Sequence, residues 1–231
     1  MIRKQYMFEF LGCSNNTLSF ACENTTTQAR VFILEDDIVR VLISEKSLKL
    51  AKTWMVAPGM DDIPREGRDR LDITPFSCPD FTHTVQDGFC TVCTKKIKVV
   101  FDLDGMKASW YFLTGSDDIL FARDRRTQAY NLEHCFGDGI SHYMEQFPAE
   151  QFYGLGEKAG ELERSGKSYK MMNLDPMGYD AECTDPLYKH IPFYITRNKK
   201  NDISFGIFYD NLSTSEFNMG RRRVPTLVLF G

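Results

Sequence analysis

Residues 151–194 are QFYGLGEKAG ELERSGKSYK MMNLDPMGYD AECTDPLYKH IPFY, and they lie between two apolar runs. Among glycines and prolines, the stretch holds isolated carboxylates and aromatic side chains: Asp175, Asp180, Asp185, Tyr169, Tyr179 and Tyr188. Carboxylates accept hydrogen bonds from sugar hydroxyls, and aromatic rings stack on the CH groups of pyranoses. We therefore predict a loop that reaches outward, away from the core, and grips a polyhydroxylated ligand.

Strand-like runs dominate the rest of the chain. They cover Ala29–Leu34, Ile38–Ile43, Phe89–Cys93, Ile97–Phe101, Ser109–Leu113, Ile191–Thr196, Ser204–Tyr209 and Thr226–Phe230. Glu35–Asp37 and Asp102–Gly105 predict hairpin turns, and Lys199–Asp202 predicts a polar loop between adjacent strands. Helical periodicity is weak and confined to Glu45–Trp54 and Glu145–Gln151, which we interpret as turns or single helical turns. The sequence thus predicts an antiparallel all-β protein.

Composition excludes several classes of function. The 231 residues are 42% hydrophobic, enough for a sizeable core, and carry a formal net charge of −4. Because the basic residues are scattered, apart from Arg221–Arg223, nucleic acid is not an expected partner. The arginine triplet suggests either an anion site or, as we expect, a solvated edge. No apolar run has the length of a membrane span and the N-terminus has no signal-peptide pattern, so we predict a cytoplasmic protein without a membrane partner.

The cysteines predict free thiols. There are seven, irregularly spaced, which favours a reducing compartment over a disulfide framework. Cys90 and Cys93 form a CxxC pattern, but they lie in a predicted strand that places them on opposite faces. A second CxxC is missing, and the four histidines lack the spacing of metal ligands. We therefore expect neither a metal nor a cofactor.

Three motifs carry a family resemblance. FYGLGE at 152–157, MNLD at 172–175 and DPLYKHIPFY at 185–194 together resemble the N-terminal domain of glycoside hydrolase family 31, the α-glucosidases and α-xylosidases. Weaker similarity covers TWMVAPG at 53–59, EGRDR at 66–70 and His142-Tyr143. The resemblance implies an antiparallel β-supersandwich of the galactose mutarotase-like type over residues 1–231. It also implies a following (β/α)8 barrel that holds the catalytic aspartates of a retaining α-glycosidase.

The catalytic pair is therefore expected outside this chain. Residues 226–230 form an apolar strand pattern that stops without a polar tail, which predicts a piece of a longer protein. A barrel needs about 250 residues. We expect an α-linked oligosaccharide ending in glucose or xylose, and the protein's own barrel, to be the partners.

Asp175 is the predicted substrate-binding residue. The resemblance implies that its loop extends to the barrel mouth, where the carboxylate accepts hydrogen bonds from substrate hydroxyls. Many members of the family have an aromatic residue at the position of Met172. The alternative is that Asp175 is a turn residue before Pro176. Nearby, Glu157 and Lys158 are expected either near a domain interface or on a solvated surface.

Other residues leave alternatives open. Gly154 and Gly156 are expected to permit a close backbone approach or a bulge where a strand leaves the sheet. His142 and His190 suggest a second function, because the sugar mutarotases of this fold use a histidine acid with a glutamate base. We expect His190 to be packed and hydrogen-bonded instead. A stand-alone carbohydrate-binding module and a mutarotase-like epimerase remain the alternative functions.

Overall fold

The computed structural model describes residues 6–46, 50–57, 62–132 and 140–220, and the backbone of 227–230. Within these residues it contains β-strands in antiparallel pairs and no α-helix, so the predicted all-β class is confirmed. The chain divides into two compact units, Met1–Arg123 and Asp124–Gly231. The assignment of residues 1–231 to one domain that precedes a barrel stays a prediction.

The first unit has two sheets whose strands follow chain order. The four-stranded sheet contains β1 (Phe8–Ser14), β2 (Thr17–Cys22), β3 (Thr27–Glu35) and β4 (Ile38–Glu45). The five-stranded sheet contains β5 (Thr82–Gln86), β6 (Phe89–Cys93), β7 (Ile97–Asp102), β8 (Lys107–Leu113) and β9 (Asp118–Arg123). Local sequence explains this meander, because two-residue turns join β1 to β2 and β5 to β6. Asn15-Asn16 and Asp87-Gly88 have positive φ at both residues, as a type I′ hairpin requires.

The second unit has a five-stranded and a three-stranded sheet. The larger follows the order β10 (Tyr130–Asn131), β11 (Ile140–Tyr143), β17 (Leu227–Phe230), β16 (Ser215–Asn218) and β13 (Ser168–Met171). The smaller follows the order β12 (Glu150–Gly154), β14 (Phe193–Asn198) and β15 (Ile203–Phe208). Because β13 and β14 belong to different sheets, the chain between them must leave one sheet and join the other. That connection is residues 172–192.

The core of the second unit corrects one prediction. Its buried residues are Phe152, Leu155, Tyr169, Met171, Tyr194, Phe217 and Met219. Five of these lie within residues 151–194, so that stretch is not a single outward loop. The glycines and prolines of this stretch favoured a loop prediction, so the two strands β12 and β13 were not predicted. Only residues 172–191 keep the predicted exposed character for most of their length.

The predicted strands all appear, some with shifted bounds. β6 has the predicted limits, whereas β14 begins two residues late, at Phe193. In β14 the alternating side chains Tyr194, Thr196 and Asn198 are buried, and Phe193 and Ile195 are exposed. The predicted hairpins at 35–37 and 102–105 and the loop at 199–202 are confirmed. Around 145–149 the chain forms no helix, and at Glu150 it enters β12.

Candidate functional site

The predicted substrate residue lies on an exposed loop of the second unit. Residues 172–184, called here the Asp175 loop, leave β13 after Met171, and Asp175 is exposed to solvent. Apolar side chains next to it are also exposed, Leu174 partly and Met177 at 97% of its surface. An apolar residue this exposed does not contribute to the core of its own unit. The loop therefore presents its side chains outward.

Tyr188 lies near the Asp175 carboxylate and packs against Tyr179. The two tyrosine rings meet edge to face, with centroids 6.3 Å apart. Partial desolvation, followed by the negative charge of Asp175, raises the pKa of the Tyr188 hydroxyl above its ordinary value. The hydroxyl therefore stays protonated at neutral pH and remains a donor. Because a carboxylate has several lone-pair positions, Asp175 can still accept bonds from a ligand.

This trio has the chemistry expected of a sugar subsite. Tyr179 and Tyr188 are each about half exposed and pack on each other, and the Asp175 charge raises the pKa of the Tyr188 hydroxyl. The exposed ring surface can stack on pyranose CH groups while the carboxylate accepts hydroxyl hydrogen bonds. The arrangement supplies binding, and by itself it has no pair of carboxylates for acid–base chemistry.

Three of the predicted ligand-gripping residues have other roles. Tyr169 is only 4% exposed and lies in the core, so its assignment to the loop surface was wrong. Asp180 caps a turn, since its carboxylate accepts the amide N–H of Glu182 at 2.7 Å. Asp185 forms an ion pair with Lys158, with 3.0 Å between Oδ1 and Nζ. The sequence showed the right residue types but not which of them were already engaged.

Lys158 and Glu157 differ sharply in environment. The Lys158 side chain is completely buried within its unit, so the solvated-surface alternative was wrong for this residue. Glu157 is exposed and pairs with the exposed Lys189, 3.1 Å from Nζ to Oε2. Such a surface pair contributes little to stability, about 0–1 kcal/mol. A buried lysine, in contrast, requires partners.

The glycine prediction is confirmed where β12 leaves its sheet. Gly154 has φ of +115°, and a Cβ atom there would be 2.7 Å from the Phe193 carbonyl oxygen. Gly156 has φ of +68°, and its Cβ would meet the Ile191 side chain at 2.8 Å. Only glycine allows both the conformation and the close approach. These residues bring FYGLGE against the chain that enters β14.

His142 belongs to a hydrogen-bonded network. Its Nε2 lies 3.0 Å from Asp124 Oδ1, and its Nδ1 lies 2.8 Å from the Tyr209 hydroxyl. The Tyr130 ring stacks on the imidazole, with centroids 4.6 Å apart. Because a carboxylate only accepts, Nε2–H donates to Asp124, and the Tyr209 hydroxyl is the hydrogen-bond partner of Nδ1. Burial raises the pKa of Tyr209 well above its ordinary value, which keeps its hydroxyl protonated.

Neither candidate histidine is poised as a free acid. Both ring nitrogens of His142 are engaged within the protein, and Asp124 is buried. His190 lies 3.0 Å, through Nε2, from the carbonyl oxygen of Asn211, as expected for a packed and hydrogen-bonded residue.

Glu150 has a carboxyl group with a strongly shifted pKa, because burial raises that pKa to about 7. Its Oε2 accepts the Phe147 amide N–H at 2.8 Å.

The cysteines in the described residues are unpaired. Cys13, Cys22, Cys78, Cys90, Cys93 and Cys183 are free thiols, while Cys135 lies outside those residues, as do His134 and Arg221–Arg223. Cys90 is fully buried and Cys93 partly exposed, in line with opposite faces of β6. In the part of the chain that the structure describes, no three His, Cys, Asp or Glu side chains form a metal-binding group. Nor does that part contain a helix long and apolar enough to span a membrane.

Comparison with known proteins gives one family and several relatives. Residues 28–218 match the model of the glycosyl hydrolase 31 N-terminal galactose mutarotase-like domain. Alpha-glucosidase 2 of Bacillus thermoamyloliquefaciens is 39% identical over 70 residues, 30% of this chain and 9% of that protein. The alpha-glucosidase of Saccharolobus solfataricus is 41% identical over 80 residues, 35% of this chain and 11% of that one. The matched region thus spans about a tenth of these relatives' length.

A solved structure shows the same fold. The chain aligns with a mutant GH31 dextranase of Flavobacterium johnsoniae, complexed with isomaltotriose, with a TM-score of 0.73 at 22% identity. The alignment covers 98% of this chain and 25% of the dextranase. The galactose mutarotase-like fold that the resemblance implied is confirmed.

Proposed function

Because the chain belongs to the family of glycosyl hydrolase 31 N-terminal galactose mutarotase-like domains, we propose that it forms the N-terminal domain of a retaining α-glycosidase and contributes Asp175 to the substrate cleft. The proposed substrate is an oligosaccharide ending in α-linked glucose or xylose. One observation carries the site: the exposed Asp175 carboxylate lies near the Tyr188 hydroxyl, beside the exposed rings of Tyr179 and Tyr188. This arrangement supports binding of sugar hydroxyls.

The chemical step is proposed to belong to another part of the same protein. A retaining glycosidase uses two carboxylates about 5–5.5 Å apart, one as nucleophile and one as acid and base. We assign both to a (β/α)8 barrel, and the much greater length of the relatives supports this assignment. Asp175 then contributes binding energy on the substrate side of the cleft. The enzyme needs no cofactor in this scheme, and we place it in the cytoplasm.

Replacement of Asp175 tests the proposal. In the enzyme that carries this domain, Asp175→Ala should lower kcat/KM for an α-glucoside or α-xyloside by about 10- to 150-fold. That loss corresponds to a charge-assisted hydrogen bond of about 1.5–3 kcal/mol. The melting temperature should hardly change, because exposed surface substitutions usually stay within about 0.5 kcal/mol. Unchanged kcat/KM with a clearly lower melting temperature would make Asp175 a structural turn residue.

Two further measurements complete the test. Glu157→Gln removes an exposed carboxylate near the loop and should leave kcat/KM unchanged. The 231-residue chain alone should not hydrolyse aryl α-glucosides above the uncatalysed rate. Hydrolysis that survived purification and was lost in Asp175→Asn would show that the chain carries its own catalytic site, contrary to the proposal.

The structure favours neither alternative function. An epimerase needs an accessible histidine acid, and His142 has both nitrogens engaged by Asp124 and Tyr209. Polarimetry on fresh α-glucose tests this directly. A stand-alone binding module would have measurable affinity without the barrel, which calorimetry on the isolated chain would detect.

A further inference from the structure

Lys158 is a buried positive charge at the base of the Asp175 loop. Its side chain has no solvent exposure, and Nζ donates to Asp185 Oδ1 at 3.0 Å and to the carbonyl oxygen of Lys170. Removing an ammonium group from water carries a large desolvation cost, which only well-placed partners can offset. The position of Lys158 is therefore tied to the positions of those two partners.

Asp185 connects Lys158 to strand β13. Its second oxygen, Oδ2, accepts the amide N–H of Lys170 at 2.6 Å, and its side chain is only 22% exposed. Lys158, Lys170 and Asp185, called here the Lys158 clamp, therefore join three points that are distant in sequence. Lys170 and Asp185 are 15 residues apart and lie on either side of the Asp175 loop. The clamp closes the base of that loop.

A backbone hydrogen bond also joins the segment after Lys158 to the Asp175 loop. The Gly160 amide donates to the Ala181 carbonyl oxygen at 2.8 Å. Gly160 has φ of +87°, and a Cβ atom there would lie 3.0 Å from the Glu182 carbonyl oxygen. The segment that follows Lys158 therefore lies directly against the loop. Within the loop, the Thr184 amide donates to the Asp180 carbonyl oxygen at 3.1 Å.

Asp185 is connected to Asp175 through the short segment that ends at Tyr188. Two residues after Asp185, Leu187 is buried, and the next residue is Tyr188, which lies near enough to Asp175 for the carboxylate to raise the pKa of its hydroxyl. A displacement of Asp185 should therefore move a group that lies beside Asp175. Since a misplacement of about 1 Å can cost on the order of 100-fold in rate, such a displacement would matter to an enzyme.

We propose that Lys158 and Asp185 are positioning residues, whose partly buried ion pair holds the Asp175 loop in the place from which it reaches substrate. The role in substrate binding rests on the proposed function, whereas the anchoring of the loop does not. An ion pair suits this task because its hydrogen bonds are directional. An apolar contact of the same size could slide without losing its energy.

Hydrogen exchange tests the anchoring by itself. Lys158→Met and Asp185→Asn should each speed exchange of the Gly160 and Thr184 amides about tenfold or more, as local opening becomes easier. Lys189→Met is the matched control, because it removes a lysine of the same region that has only an exposed partner. If Lys158→Met fails to fold, Asp185→Asn keeps an acceptor for the Lys170 amide and still removes the charge. Exchange equal to the wild type in Asp185→Asn would overturn the proposal.

A double-mutant cycle tests the link to substrate. In the enzyme that carries this domain, Asp185→Asn should lower kcat/KM, and adding it to Asp175→Ala should lower kcat/KM less than twofold further. Losses that simply multiply would show that the clamp acts independently of Asp175 and would overturn this link. If Asp175→Ala alone has no effect, the proposed function fails, and the exchange measurement still decides whether the clamp anchors the loop.

Discussion

The stability of the second unit should depend on pH through Glu150, and Glu150→Gln should remove that dependence. The carboxyl group begins strand β12, and burial raises its pKa from 4.5 to about 7. The folded chain therefore keeps this proton between about pH 4.5 and pH 7, where the unfolded chain has released it. With fewer protons bound in the unfolded state, the free energy of unfolding falls as pH rises through this window.

The change in unfolding free energy can be calculated from the difference between the unfolded and folded pKa values of Glu150. At about 1.4 kcal/mol per pKa unit, the interval from 4.5 to about 7 corresponds to about 3.5 kcal/mol at most. Glu150 is only partly buried, so solvent screening reduces this value, and we expect about 1–2 kcal/mol. Glutamine keeps an oxygen that can accept the Phe147 amide but cannot become charged. The variant should be closest to the wild type in stability near pH 5, at the lower end of this window, and more stable by about 1–2 kcal/mol at pH 8.

Urea unfolding of the chain, followed by circular dichroism at intervals from pH 5 to 8.5, measures this difference. Glu157→Gln serves as the control, because its carboxylate is exposed, and it should shift stability equally at every pH. The reasoning fails if the difference between Glu150→Gln and the wild type is constant over the range. It also fails if the variant becomes less stable than the wild type as pH rises.

Two other predictions concern the His142 network and the thiols. Tyr209→Phe removes the hydroxyl that bonds His142 Nδ1 at 2.8 Å, and it should cost about 1–3 kcal/mol of unfolding free energy, while the exposed Tyr179→Phe should cost little. Equal effects in the two urea unfolding curves would show that the network adds no stability. The denatured chain should titrate as seven thiols without stoichiometric zinc, and in the native chain Cys90 should react last, because burial raises its pKa to about 11. A metal content near one per chain by elemental analysis, or rapid labelling of Cys90, would contradict this.

The fold class could be predicted because the central strands carry their own pattern. In β7 the apolar side chains Ile97, Val99 and Phe101 are buried at every second position, as expected for a strand with one face in the core. Strand β5 was missed because all five of its residues are exposed, so its sequence THTVQ shows no apolar face. The Asp87-Gly88 turn that follows it was the available indication, since this dipeptide favours a two-residue hairpin.

The candidate site was predictable only in part. Residue types and motif order were enough to propose Asp175, whose role in binding stays a prediction. They could not separate Tyr169, which is in the core, from Tyr188, which is at the surface. Nor could they reveal Lys158, because its burial depends on Lys170 and Asp185, which lie 12 and 27 residues further along the chain. Pairing over such distances is a property of the tertiary structure, and one sequence does not display it.

The Lys158 clamp allows the residues that fold the unit and the residues that face a ligand to be different parts of the sequence. The Asp175 loop lies between two fixed points, Lys170 and Asp185, and residues 172–184 contribute no member to the buried core cluster of their unit. Substitutions of Met177, whose side chain is almost fully exposed, should therefore leave the folding of the unit largely unchanged. A protein built this way can acquire a new ligand preference by changing the loop while the same framework continues to support it.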